Sequence, residues 1–134
     1  MRVFFDTNVI FAALMSDGPC KTLFRQVTDG TITGVVSEQV IDELSRNLKK
    51  LLRLSPERRA AVVETLRLSF EVVPTPGNSP RLSRDPTDDS IIAAGSENAD
   101  LIVTGDKDIL PLSSRKMGIE AVTPADLLRR LSAP

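Results

Sequence analysis

Val3-Phe4-Phe5-Asp6-Thr7-Asn8 decides the fold of this chain. Three consecutive apolar residues read as a short strand buried on both faces, as in a parallel sheet covered by helices on either side. Asp-Thr-Asn stands at its carboxyl end, where open α/β sheets place their ligand sites. The same grammar returns late in the chain, where Leu101-Ile102-Val103 runs into Thr104-Gly105-Asp106-Lys107-Asp108.

Between these two stretches, helical and strand patterns alternate. Helices are expected over 8–15, 19–28, from the Ser37 cap onward, from Ser55-Pro56 to Leu68 and from Asp85-Pro86 to Asn98. Strands are expected over 32–36 and 70–73. The helix after Ser37 places Val40, Ile41, Leu44, Leu48 and Leu51 on one inward stripe. Pro74 to Arg84, rich in Pro, Gly, Asn and Ser, reads as a loop. A helical turn over 109–112, a weak strand over 119–122 and a helix over 124–131 complete the chain. The expectation is an α/β protein, a three-layer α/β/α arrangement around a central parallel sheet. Residues 1–134 are expected to form one domain, with a core over 1–131 and a tail at 132–134.

Composition narrows the chemistry. The chain has no His, Trp or Tyr and a single cysteine, Cys20. These absences exclude a histidine-based triad, an internal disulfide and a thiolate-rich zinc site. They fit a reducing cytoplasm. The apolar stretch from Val9 to Leu14 is too short to span a membrane, so neither membrane nor export signal is expected. Net charge is −1, but setting four acids aside as a metal site leaves +3 on the rest.

Those four acids are Asp6, Glu43, Asp88 and Asp106, each beside an apolar segment. A local explanation exists for each: Asp6 and Asp106 as caps or turn residues, Glu43 as a surface glutamate, Asp88 as part of the Asp85-Pro86 helix start. Thr123-Pro124-Ala125-Asp126 repeats that last arrangement where no chemistry is expected. Taken together the acids point further. Two end separate strands and two project from helices toward the faces that cover those strands. Like charges about 4 Å apart at an effective dielectric near 20 repel by roughly 4 kcal/mol per pair, so a cation is called for. An all-oxygen ligand set selects hard ions, Mg²⁺ or Mn²⁺. Such an ion acidifies water enough for hydrolysis without a histidine base.

The order of FFDTNVI, a helical Glu43, Asp85-Pro86-Thr87-Asp88-Asp89 and LIVTGDKDIL resembles the PIN-domain family, nearest to VapC-type ribonucleases, the toxin components of bacterial toxin–antitoxin systems. The resemblance runs from Val3 to about Leu131. It implies an endoribonuclease dependent on Mg²⁺ or Mn²⁺ that leaves 5′-phosphate and 3′-hydroxyl ends. By motif, Asp6, Glu43, Asp88 and Asp106 would be the catalytic, metal-binding acids, with Asn8, Thr104, Asp108 and Asp89 in support. Asp88 against Asp89 stays open, with Asp88 preferred from its register and helical face. Implied partners are an RNA substrate and a cognate antitoxin, with a homodimer left open.

Cations must grip such a substrate. Arg81, Arg84, Lys107, Arg115 and Lys116 come from loops and turns that border the site; Arg46, Lys49, Lys50, Arg53, Arg58 and Arg59 cluster where the two middle helices meet. Two rival readings stand beside this one. The first is a receiver- or phosphatase-like domain phosphorylated on Asp6, against which Asn8 occupies the position of a second Asp. The second is a non-catalytic module that keeps the fold and binds RNA or protein.

Overall fold

A computed structural model describes residues 1–112 and 114–133 of the chain, the side chains of 114 and 115 excepted. Five parallel strands form one sheet: β1 (Arg2–Phe5), β2 (Thr33–Ser37), β3 (Glu71–Val73), β4 (Leu101–Val103) and β5 (Glu120–Val122), in the order β3-β2-β1-β4-β5. The helices are α1 (Thr7–Met15), α2 (Pro19–Thr28), α3 (Glu38–Leu52), α4 (Pro56–Ser69), α5 (Pro86–Asn98), α6 (Ser114–Met117) and α7 (Pro124–Ser132).

Topology fixes the layers. From β1 the chain steps outward to β2 and then β3, and right-handed crossovers put α1 to α4 on one face. From β3 it returns across the sheet to β4, so α5 covers the other face and packs on β1, β2 and β4. The direction of travel reverses between β1 and β4, which creates a switch point at their carboxyl ends. Asp6 and Asp106 follow those two strands.

The core is built on Val3, Phe4 and Phe5 of β1, Val35 and Val36 of β2, and Ile102 and Val103 of β4, all essentially inaccessible to solvent. Phe70 stands edge-on to Phe5, with ring centroids 5.2 Å apart. α5 rides close to the sheet because Gly95 has no side chain. A Cβ there would lie 2.6 Å from Ile102 Cγ1.

Two expectations need correction. Leu51 keeps the phase of the buried stripe yet is 60% exposed, and it is Leu52 beside it that packs against the core. Residues 109–112 form turns in which the N–H groups of Ile109 and Leu110 both bond Asp106 O, and the short helix comes later, as α6. α3 ends on Arg53 in a left-handed conformation (φ 53°), with the Leu54 N–H returning to Leu48 O at 3.2 Å. Glycine is the usual occupant of such a cap. No helix among the described residues is long and apolar enough to cross a membrane.

Candidate metal centre

Asp6 is both cap and site residue. It is the N-cap of α1 and 4% exposed, its Oδ1 accepting the Thr7 N–H at 2.7 Å and its Oδ2 the Thr104 hydroxyl at 2.7 Å. Burial raises its pKa; the Thr104 and Thr7 bonds work against that, and Asp106 and Glu43 add to it. Thr104 is fully buried, and its Oγ1 also accepts the Asp106 N–H at 3.0 Å. One hydroxyl thus fixes the spacing of the two strand-end acids.

Further hydrogen bonds extend this chain around the site. The Thr7 hydroxyl donates to Glu43 Oε2 at 2.9 Å, while Gln39 Nε2 donates to Glu43 Oε1 at 3.2 Å and to Thr87 O at 3.3 Å. Thr87 immediately precedes Asp88, so α3 and the start of α5 are tied through Gln39. Asp42, on the other side of α3, is exposed, as helical phase predicts. Thr7 and Gln39 were not among the expected site residues. Thr7 looked like one more capping residue, and Gln39 lies one helical turn before Glu43 on the same face, the signal that finds it.

Asp88, Asp106 and Asp108 each offer a carboxylate oxygen, and these oxygens lie within 4.8 Å of one another. Asp108, expected in support, therefore stands with the principal acids. Asp88 is 7% exposed, and its pKa is raised to about 7, first by burial and then by Asp106, Asp85, Asp6 and Asp108. The helix start at Thr123 gives the contrast. There Asp126, the counterpart of Asp88, is paired with Arg129 on its own helix. Shared capping grammar leads to an ordinary surface pair in one helix and, in the other, to a buried carboxylate that meets two further acids.

A divalent cation fits this place. The donors are all carboxylate oxygens, they converge, and one of them is held near protonation by burial and then by its acidic neighbours. Asp88, Asp106 and Asp108 are placed to hold it, with Asp6 alongside.

Asp89 faces elsewhere. It is 2% exposed, and its Oδ1 accepts the N–H groups of Leu82 (2.9 Å) and Ser83 (2.8 Å), with Arg81 Nε 3.6 Å from Oδ2. Burial raises its pKa, but the Leu82 and Ser83 bonds and Arg81 outweigh it, and the net shift is downward. Asp89 thus anchors the end of the 74–85 loop. Asp89→Ala strands both amides and is expected to cost about 1–2 kcal/mol. Limited proteolysis checks it: cleavage within 74–84 should speed up well before global unfolding.

The remaining candidates are dispersed. Asn8 and Lys107 are exposed, Lys107 in the turn between Asp106 and Asp108. Arg84 pairs with Asp108 at 3.0 Å, and Lys116 lies exposed on α6. The Arg115 side chain lies outside the described residues.

Comparison with known proteins agrees with this fold. Uncharacterized protein MJ1680 of Methanocaldococcus jannaschii is 29% identical over 118 residues, covering 84% of this chain and 75% of its own length. Among solved structures, VapBC2 from Rickettsia felis bound to a DNA fragment from their promoter superposes with TM-score 0.66 at 15% identity, covering 92% of this chain and 98% of the other. DNA-bound VapBC from Salmonella typhimurium gives TM-score 0.62 at 21% identity, with the same coverages. Residues 2–108 match the PIN domain, and the chain belongs to that family.

Proposed function

We propose that the protein is a metal-dependent endoribonuclease that hydrolyses RNA phosphodiester bonds, and that it serves as the toxin of a cytoplasmic toxin–antitoxin pair. The observation that carries this reading is the convergence of Asp88, Asp106 and Asp108 at the switch point beside buried Asp6. When bound there, Mg²⁺ or Mn²⁺ would supply an acidified water and offset charge on the reacting phosphate. The chain supplies the rest. Thr104 sets the distance between Asp6 and Asp106, Thr7 and Gln39 hold Glu43, and Lys107, exposed in the turn between Asp106 and Asp108, would meet a phosphate oxygen. Arg84 is held at the rim by Asp108. The partnership with an antitoxin is supported by the VapBC complexes that share the fold.

Mixed-sequence single-stranded RNA incubated with the purified protein tests the reading. Cleavage is expected with Mg²⁺ or Mn²⁺, none with EDTA, and a loss of about 10²-fold or more in Asp6→Asn and Asp106→Asn. Cleavage indifferent to EDTA, or variants as active as the parent, would sink it.

A further inference from the structure

Residues 46–59 hold six cations, Arg46, Lys49, Lys50, Arg53, Arg58 and Arg59, against one acid, Glu57. Elsewhere seven cations are matched among the described residues: Arg2 with Glu71, Lys21 with Asp17, Arg67 with Glu38, Arg81 with Asp89, Arg84 with Asp108, Arg129 with Asp126 and Arg130 with Glu120. Within 46–59 no cation pairs with an acid among the described residues. Arg59 donates to Leu54 O at 2.6 Å, which accounts for it locally, and the other five are exposed.

Helix stability explains only part of this set. Lys49 and Lys50 lie in the last turn of α3, where positive charge complements the helix dipole. Arg53 and Arg58 run against local preference. Arg53 occupies a left-handed cap that favours glycine, and Arg58 puts positive charge into the first turn of α4, the positive end of that helix. Both line the same recess of about 450 Å³ at the α3–α4 junction, together with Leu52, Leu54 and Ser55. Two cations that local structure disfavours, side by side and lacking acidic partners, call for an external anion.

Position identifies it. Arg46 and Lys50 follow Glu43 by three and seven residues and so share its face of α3, about 4.5 and 10 Å further along the axis. The row leads from Glu43 along α3 to the junction that carries Arg53 and Arg58. We infer that Arg46, Lys50, Arg53 and Arg58 form a phosphate track for single-stranded RNA, gripping the strand several nucleotides from the scissile bond. Without Trp or Tyr, recognition along this track runs through phosphate charge rather than base stacking. The inference rests on the ribonuclease reading and deepens it.

The test uses the full chain carrying Asp6→Asn, so that bound RNA survives, with labelled RNAs of about 4 and about 16 nucleotides. Adding Arg53→Glu and Arg58→Glu is expected to weaken binding of the longer RNA by about 10-fold or more. The slope of log affinity against log salt should fall by about 0.7 per lost phosphate contact, and tetranucleotide binding should not change. Arg53→Gly separates charge from folding: it should raise the melting temperature while lowering affinity for the longer RNA. Unchanged affinity in both variants overturns the track, as does a parent that fails to bind the longer RNA, or polyglutamate competing as well as RNA, which would reassign the face to an acidic protein. Cleavage by the otherwise native chain is scored separately. Track-dependent binding without cleavage removes the nuclease reading and leaves the RNA surface; cleavage of long RNA untouched by the reversals does the opposite.

Discussion

Asp88→Asn is expected to stabilise the metal-free protein while abolishing its response to metal. In the fold the Asp88 pKa is raised from 3.8 to about 7 by burial and by Asp106, Asp85, Asp6 and Asp108. The native state therefore holds this proton more tightly than the unfolded chain does. Stability is highest below pH about 3.8 as far as this group is concerned, falls as pH rises toward about 7, and then levels off. At about 1.4 kcal/mol per pKa unit, the ionised carboxylate costs the apoprotein on the order of 4 kcal/mol. Asparagine carries no charge, so above pH about 7 the variant should gain about 2–4 kcal/mol in EDTA, with a flatter pH profile than the parent. Mn²⁺ should then raise the parent's melting temperature and leave the variant's nearly unmoved. Thermal melts across pH, with and without metal, check both halves. A parent whose stability is flat from acid to neutral pH would show that Asp88 is not the strained member of the cluster.

Gly95→Val should damage the fold and the site together. The Cβ it introduces would meet Ile102 Cγ1 at 2.6 Å and Cδ1 at 2.8 Å, and Ile102 is fully buried in β4. Relief comes only by lifting α5 from the sheet or forcing Ile102 from its rotamer, at a cost of about 2–3 kcal/mol. Asp88, seven residues earlier on the same face of α5, would move with the helix. The expected result is a lower denaturation midpoint and weaker metal binding than the stability loss alone explains. Ile102→Ala in the same chain should restore part of the metal affinity, because it reopens the space the valine needs. A Gly95→Val protein with parental metal affinity would uncouple helix seating from the site.

The sheet and its surrounding helices were legible because their signals are local: doubly apolar strands and, among the described residues, a side-chain cap before five helices and proline at the first position of four. Legibility failed where length or packing decided. Leu51 has the right phase for the core, but periodicity does not say where the core ends. The turns after Asp106 carry helix-forming residues and still close on one carbonyl, Asp106 O. Cap and ligand looked like alternatives for Asp6, whereas its carboxylate caps α1 and lies in the acidic site at once. Register and helical face favoured Asp88 over Asp89 without excluding either. They part only in three dimensions, where one meets Asp106 and the other meets the amides of Leu82 and Ser83. The order of motifs located the acids and Thr104, but not the Thr7 hydroxyl that holds Glu43.

The pairing of β1 with β4 has a consequence for biosynthesis. Asp6 leaves the ribosome well before Thr104, whose hydroxyl fixes it from 98 positions later. An amino-terminal fragment ending before β4 carries Asp6, Glu43 and Asp88 but lacks both the strand that seats Asp6 and the acid that faces Asp88. Long-range closure of this kind comes late in folding. On the proposed reading, a chain cut short before β4 therefore carries no assembled cutting edge.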